Sequence, residues 1–356
     1  MTSGAPGQVR ASAPAGGELR RARAATVIAG LCALVIAAAL ANLCVGSLRV
    51  PLPELVSVLT GAGRGSTASQ VIWSIRLPRL VAAGILGGAL ALSGYLLQTF
   101  FNNPLAGPYV LGISSGAKLA VAILMVVVVG STGVVTSWMA LVAALVGSLA
   151  TMGCALVVSR RVGSASALVV AGVMIGYLCS AATDFLVTFA SDASIVNLRN
   201  WSLGSFSGIN WDQVGVMTAV VLPAALCVFL LSKPLDAYRL GEGYAQSAGV
   251  SIRAFRVEVI VLSSLLSACV TAFAGPISFV GIAVPHIVRR LLGSSRPLVA
   301  IPATFLGGSL FCLVCDLIAR SAFAPTEVAV STVTALFGAP VVLSVLLGRR
   351  RGEGRA

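Results

Sequence analysis

The chain has 356 residues, of which 58% are hydrophobic and only 10% charged, with a formal net charge of +13 and a mean hydropathy of +1.00. That balance excludes an ordinary soluble domain and a disordered chain. It points to a polytopic membrane protein, in which basic residues between apolar spans orient the chain and do not signal nucleic-acid binding.

Residues 1–24 are rich in Gly, Ala, Pro and Ser and carry Arg10, Arg20, Arg21 and Arg23, so a disordered basic tail on the cytoplasmic side is expected. The first apolar span, Ala25–Cys44, is long for a signal-peptide core and lacks an obvious cleavage site, and is read as a retained helix. Mixed sequence follows to Leu77, with Leu52–Thr60 expected as a short interfacial helix. The second span, Leu80–Phe100, carries Gly84 and Gly88 four apart, with Gly87 and Gly94 nearby, a pattern that lets helices approach closely. It ends in Asn102, Asn103 and Pro104, and a second break follows at Gly107-Pro108. Irregular backbone at membrane depth is tolerated only inside protein or along a water-filled cavity, so Asn103 and Pro104 are candidate pathway residues.

Further spans are predicted at Val110–Val129, Val134–Val158, Ala167–Ala190, Gln213–Leu231, Val257–Ala274, Gly281–Leu292, Leu298–Ala319 and Val330–Leu347, making about ten in an all-α bundle over residues 25–348. The one at Gly281 is too short to cross alone, roughly 18 Å against a core of roughly 30 Å. A re-entrant neighbour at Gly275-Pro276 is expected to complete it. Alternating the spans from a cytoplasmic N-terminus puts seventeen of the 24 cations inside, including the basic tail 349–356. Six fall outside, namely Arg49, Arg64, Arg76, Arg79, Arg199 and Arg320, and Lys118 lies within a span. This bias supports two cytoplasmic termini in a bacterial inner membrane. Ala106-Gly107-Pro108 before Gly112-Ile113 is echoed by Ala274-Gly275-Pro276 before Gly281-Ile282, on opposite sides of the membrane, as an inverted repeat would place them.

Nothing in the sequence asks for a metal or cofactor. The eight cysteines fall in or beside apolar spans and read as small packing residues, including the Cys312/Cys315 pair. His286 is a lone histidine, expected to pack or hydrogen-bond, since a catalytic zinc takes about three protein ligands. Gly112 to Lys118 lacks the Lys-Ser/Thr ending and the strand-to-helix setting of a nucleotide loop. Energy must then come from a partner or an ion gradient. Asp184, Asp316 and Lys118 lie within spans and Glu258 at an edge; an ion-coupled carrier would need such a carboxylate, but Asp316 can pair with Arg320 at i, i+4. The longest cytoplasmic connection, about 232–256, is a candidate docking surface for a partner. No paired carboxylates or activated nucleophile suggest an enzyme.

Three stretches carry a resemblance. The first is Arg76-Leu77-Pro78-Arg79, Ser93-Gly94, Gln98, Asn103-Pro104-Leu105-Ala106 and Leu111-Gly112-Ile113-Ser114; the second runs from Gly275 to Arg289; the third joins Asp316–Arg320, Glu327 and Gly338-Ala339-Pro340. In order and spacing they resemble the permease subunits of type II ABC importers for iron-siderophore complexes, haem and cobalamin. Val328 to Ser331 departs from the proline and glycine usual there.

The resemblance implies a permease working as a homo- or heterodimer. ABC ATPase subunits would lie beneath it and an extracytoplasmic binding protein above, with an iron(III)-siderophore as the expected substrate and haem or cobalamin as alternatives. It implies that Arg239, Leu240, Gly241, Glu242, Gly243, Ala245 and Gly249 belong to a coupling segment of two short helices on the ATPase. The turn at Ser164, Ala165 and Ser166 would be the cytoplasmic gate, although Ala165 replaces the usual threonine. Arg76, Arg79 and Arg320 would dock glutamates of the binding protein, with Pro78 fixing the backbone between the first two. The competing reading of these arginines is interfacial anchoring, or pairing of Arg320 with Asp316.

Overall fold

The computed structural model describes residues 15–46, 50–61, 66–128, 136–162, 165–324 and 326–353. Among these every regular element is helical. The order is α1 (Ala15–Cys44), α2 (Leu52–Leu59), α3 (Thr67–Val71), a π-turn at Ile72–Arg76, α4 (Leu77–Phe100), a 3-10 turn at Pro108–Leu111 and α5 (Ile113–Ile123) with a π-helical end at Leu124–Val128. Then come α6 (Ser137–Val162), α7 (Ala165–Thr188), α8 (Asp192–Ser202), α9 (Trp211–Leu230), α10 (Ser232–Arg239), α11 (Glu242–Ser247), α12 (Ile252–Ala274), α13 (Val280–Leu292), α14 (Pro297–Ser321) and α15 (Val330–Glu353).

Among the described residues seven helices are long and apolar enough to cross a membrane. With α5, α13 and α15 they account for the ten expected spans. Helix α1 starts at Ala15, ten residues before the apolar boundary, because Leu19 to Ala24 are good helix formers with no glycine or proline among them. Arg23 at that end donates through Nε to the Leu291 carbonyl at 3.0 Å.

Helix α4 is the centre of the bundle. Of the apolar stretch containing it, 78% of the residues are buried, against 6% for that of α1, so α4 is enclosed by α9, α12, α13 and α14 while α1 packs on α14 at the periphery. The small residues expected to allow this do so selectively. A Cβ on Gly87 would stand 2.5 Å from the Gly308 carbonyl of α14, and one on Gly94 would overlap the Gly281 carbonyl of α13. Gly84, by contrast, has open space where its Cβ would be.

The two ends are fixed by contacts. At the basic end Arg23 meets Arg290 and Leu291, and Arg239 of α10 donates to the Ser295 carbonyl. At the far end Trp211 Nε1 donates to the Trp73 carbonyl at 2.7 Å, and the Ser205 amide donates to the Ala274 carbonyl at 2.9 Å.

Candidate functional site

Two broken segments meet inside the helical bundle. The chain leaves α4 at Asn102, whose φ of 46° turns it sharply, and folds back through Gly107-Pro108 to start α5 after Gly112, in the left-handed region at φ 75°. From the other end, residues 275–278 run non-helically inward from α12, and α13 begins after Phe279, again left-handed at φ 66°. Gly281 packs on Pro108, Gly107 on Ile282, and the Ile277 amide donates to the Tyr109 hydroxyl at 3.0 Å. The short α13 is thus completed by the Gly275-Pro276 segment. The echo seen in the sequence corresponds to two left-handed helix starts approached from opposite ends, the arrangement in which transporters place irregular backbone.

One residue holds this junction. Pro285 lacks an N–H, so the Gly281 carbonyl four residues earlier has no donor within α13. Gln98 Nε2 supplies it, lying 3.2 Å from the Gly281 carbonyl and 3.1 Å from that of Ile282. Its Oε1 in turn accepts from the Arg289 guanidinium. Gly94, one turn earlier on α4, provides the room.

At the far end Arg76, Arg79 and Arg320 come together, but facing inward. Arg76 and Arg79 are buried, and the Arg79 guanidinium grips Asp316, with NH2 to Oδ1 at 2.8 Å and Nε within 3.0 Å of both oxygens. The same NH2 also donates to Glu327. Arg320 lies 3.8 Å from Asp316 through Nε and reaches Asn42 Oδ1 at 3.0 Å, while Arg76 donates to the Leu43 carbonyl. The i, i+4 pair expected from sequence is therefore present as the weaker part of a network whose stronger member, Arg79, is 237 residues away. Buried Asn42, which also donates to the Leu313 carbonyl at 3.1 Å, had no local signal. Only its isolation as an amide at the end of an apolar span could have marked it. The π-turn, closed by the Leu77 amide on the Ile72 carbonyl, leads straight into Pro78 and sets Arg76 and Arg79 on this side of α4.

At the basic end residues 232–247 form two short helices joined at Gly241, whose φ is 122°. Leu235 and Ala245 are buried under them, whereas Leu240 (69%) and Tyr244 (56%) are exposed. Gly249 is also left-handed, at φ 86°, and Gly243 stands in open space. Arg239 pairs with Asp236 at 3.4 Å and Glu242 with Arg256 at 3.9 Å. Tyr238 stacks on Phe100, with centroids 5.9 Å apart, and packs on Phe255, so the short helices touch the last residue of α4 just before the Asn102 turn.

Asn103 is exposed and Pro104 half-buried beside that turn. Ser164 lies outside the described residues, and of Ala165 and Ser166 only the helical backbone is described, as the start of α7. Beyond them α7 exposes one face bearing Met174, Tyr177, Leu178, Asp184 and Phe185, continued by Phe189 just past its end. Among the other ionisable groups, Glu258 is exposed and Lys118 half-buried. Cys312 packs against Gly87, in keeping with a packing role.

The comparisons agree with one another. The FecCD transport family model matches residues 34–348. The chain is 37% identical over 337 residues to the vitamin B12 import system permease protein BtuC of Klebsiella pneumoniae, covering 95% of this chain and 98% of that protein. It is 34% identical to the protein of the same description from Salmonella arizonae, covering 89% and 93%. A solved chain described as an inward-facing conformation of a metal-chelate type ABC transporter superposes with a TM-score of 0.81 at 29% identity, over 91% of this chain and 99% of that one. Matched nearly from end to end, and with the three sequence signatures gathered around one central helix, the chain belongs to the FecCD transport family of type II ABC importer permeases.

Proposed function

We propose that this permease carries a corrinoid of the vitamin B12 class, in place of the iron(III)-siderophore expected from sequence. The observation that carries the reading is the end-to-end similarity to vitamin B12 import permeases at 37% identity. A ferric siderophore or haem is the second reading, favoured by the likeness to a metal-chelate type transporter.

In this reading two copies, or this chain and a related permease, enclose the pathway. The exposed face of α7 supports that placement, because Asp184 beside Phe185 would be costly against lipid and suits a water-filled passage. Residues 164–166 close the passage at the basic end. The excess of cations at that end supports its assignment to the cytoplasm, with both termini there and the protein in a bacterial inner membrane.

ATP hydrolysis resides in separate subunits that dock on α10 and α11 through Leu240 and Tyr244. Movement there reaches α4 through Tyr238 and Phe100. The binding protein docks at the far end. Its carboxylates compete with half-exposed Glu327 for Arg79, and Arg76 and Arg320 lie alongside.

The test is uptake by proteoliposomes containing the permease, its ATPase and its binding protein. Cyanocobalamin accumulation that requires ATP and survives ionophores is the expected result. Uptake of ferric siderophore or haem but not cobalamin would reassign the substrate. Uptake driven by an ion gradient without ATPase would remove the importer reading.

A further inference from the structure

We infer that the basic end carries a binding pocket for a phosphate group, filled by the headgroup of an acidic phospholipid. The pocket has a volume of 330 Å³ and is lined by Asn102, Asn103, His286, Arg289, Arg290 and Ser295, among others. It lies between the turn that ends α4 and the last turns of α13.

The transport reading leaves the character of its lining unexplained. Arg289 donates to the neutral Gln98 amide, and neither it nor Arg290 has a carboxylate within ion-pair distance among the described residues, although acidic groups pair with Arg239 and Arg256 nearby. Arg23 donates to the Arg290 and Leu291 carbonyls at the same helix end, outside the lining itself. The His286 Nε2 is shielded from solvent and has no hydrogen-bond partner among the described residues. Asn103 uses its Oδ1 to accept the Leu105 amide at 3.0 Å, which leaves its NH2 as the uncommitted end. The lining is thus rich in donors and cations and holds no acidic group.

A phosphate diester is the anion that suits this set, offering several acceptor oxygens to guanidinium and amide donors. Its source is argued from position. Exposed Leu291 and Leu298 adjoin the lining residues Arg290 and Ser295 in the chain, and α1, which reaches this helix end through Arg23, exposes the side turned away from α14, so acyl chains have an apolar surface to follow. Basic pockets between helices on the cytoplasmic side are a recognised mode of headgroup binding. A volume of 330 Å³ lies at the lower end of the range of about 300–1,000 Å³ for small-ligand pockets and admits a glycerophosphate headgroup. The inference does not depend on which substrate is transported.

The experiment places the full chain with its ATPase partner in nanodiscs of phosphatidylcholine, with or without phosphatidylglycerol. Bound lipid is read by native mass spectrometry, and the unfolding midpoint is recorded in parallel. Phosphatidylglycerol should be retained and raise the midpoint. Arg290→Gln, at an exposed side chain, should weaken retention by about fivefold, in line with about 1 kcal/mol per basic residue near a charged surface. Adding His286→Gln should weaken it further, while Lys233→Gln at the same end should leave it unchanged.

Equal loss in Lys233→Gln would mean diffuse attraction and would overturn the pocket. Inorganic phosphate in pure phosphatidylcholine discs reproducing the midpoint shift would make the ligand a soluble anion and overturn the lipid assignment. Loss of the ATPase subunit from the pocket variants with lipid retention intact would assign the pocket to the protein partner.

Discussion

Ser93 of α4 and Ser263 of α12 hydrogen-bond each other's backbones across the centre of the bundle. Ser93 Oγ donates to the Ser263 carbonyl at 2.7 Å, and Ser263 Oγ donates to the Ser93 carbonyl at 3.1 Å. Both side chains are fully buried. Each belongs to the helix that precedes one of the two broken segments, so the exchange ties together the two helices that lead into them. Ser93→Ala or Ser263→Ala should each lower stability by about 1–2 kcal/mol, with coupling between them in the double variant. Thermal unfolding in detergent tests this, and strictly additive losses would mean the two hydroxyls do not act as a pair.

The Gly94, Gln98 and Pro285 relationship makes a sharper test. Gly94→Ala should disrupt the contact between α4 and α13 and abolish accumulation of folded protein, whereas Gly84→Ala, in open space, should be tolerated. Gln98→Ala leaves the Gly281 carbonyl without its donor, at a cost of about 1–3 kcal/mol. Pro285→Ala returns a backbone N–H to that carbonyl and should recover part of the loss. Failure of the double variant to improve on Gln98→Ala would separate the role of Gln98 from the missing proline donor.

Arg79 should behave as a structural residue before it behaves as a docking one. Removing one member of a buried pair costs about 3–5 kcal/mol, so Arg79→Gln and Asp316→Asn should both impair folding. Glu327→Gln, at a half-exposed side chain, should fold normally. If the binding protein competes for Arg79, Glu327→Gln should also tighten docking, most visibly at low salt. Unchanged affinity would confine Arg79 to the internal network.

The coupling helices are open to direct interference. Glu242→Lys together with Gly243→Trp should leave the permease inserted, abolish uptake and loosen the ATPase in pull-downs. Both positions are exposed, so the loss would not be a packing defect. Tyr238→Ala breaks the stack on Phe100 and should uncouple ATP hydrolysis from transport while the ATPase stays bound. Normal uptake by well-expressed Glu242/Gly243 variants would exclude this surface.

For the gate, single cysteines at Ser164, Ala165 or Ser166 in a cysteine-free background should cross-link between two subunits and block uptake. The absence of any cross-link in every nucleotide state would rule out the turn.

The sequence alone determined the number, order and type of the membrane elements. Hydropathy over about 20 residues is a local property, and it places Leu80–Phe100 or Val257–Ala274 without reference to neighbours. The re-entrant character of Gly275-Pro276 was legible for the same reason, since a 13-residue helix cannot cross alone. Which glycines make contact was not legible, because Gly84 and Gly88 share a spacing but only tertiary packing decides which face meets another helix.

The arginines illustrate the limit most clearly. Sequence placed Arg76, Arg79 and Arg320 at one end of the bundle, and i, i+4 spacing paired Arg320 with Asp316. Arg79 took Asp316 instead, because α4 and α14 pack closely enough at Gly87 and Gly308 to bring a charge from 237 residues away into bidentate contact. A guanidinium buried at a membrane boundary must find a carboxylate or return to water. Which of the two it does is settled by the packing of distant helices, on which no local pattern in the chain bears.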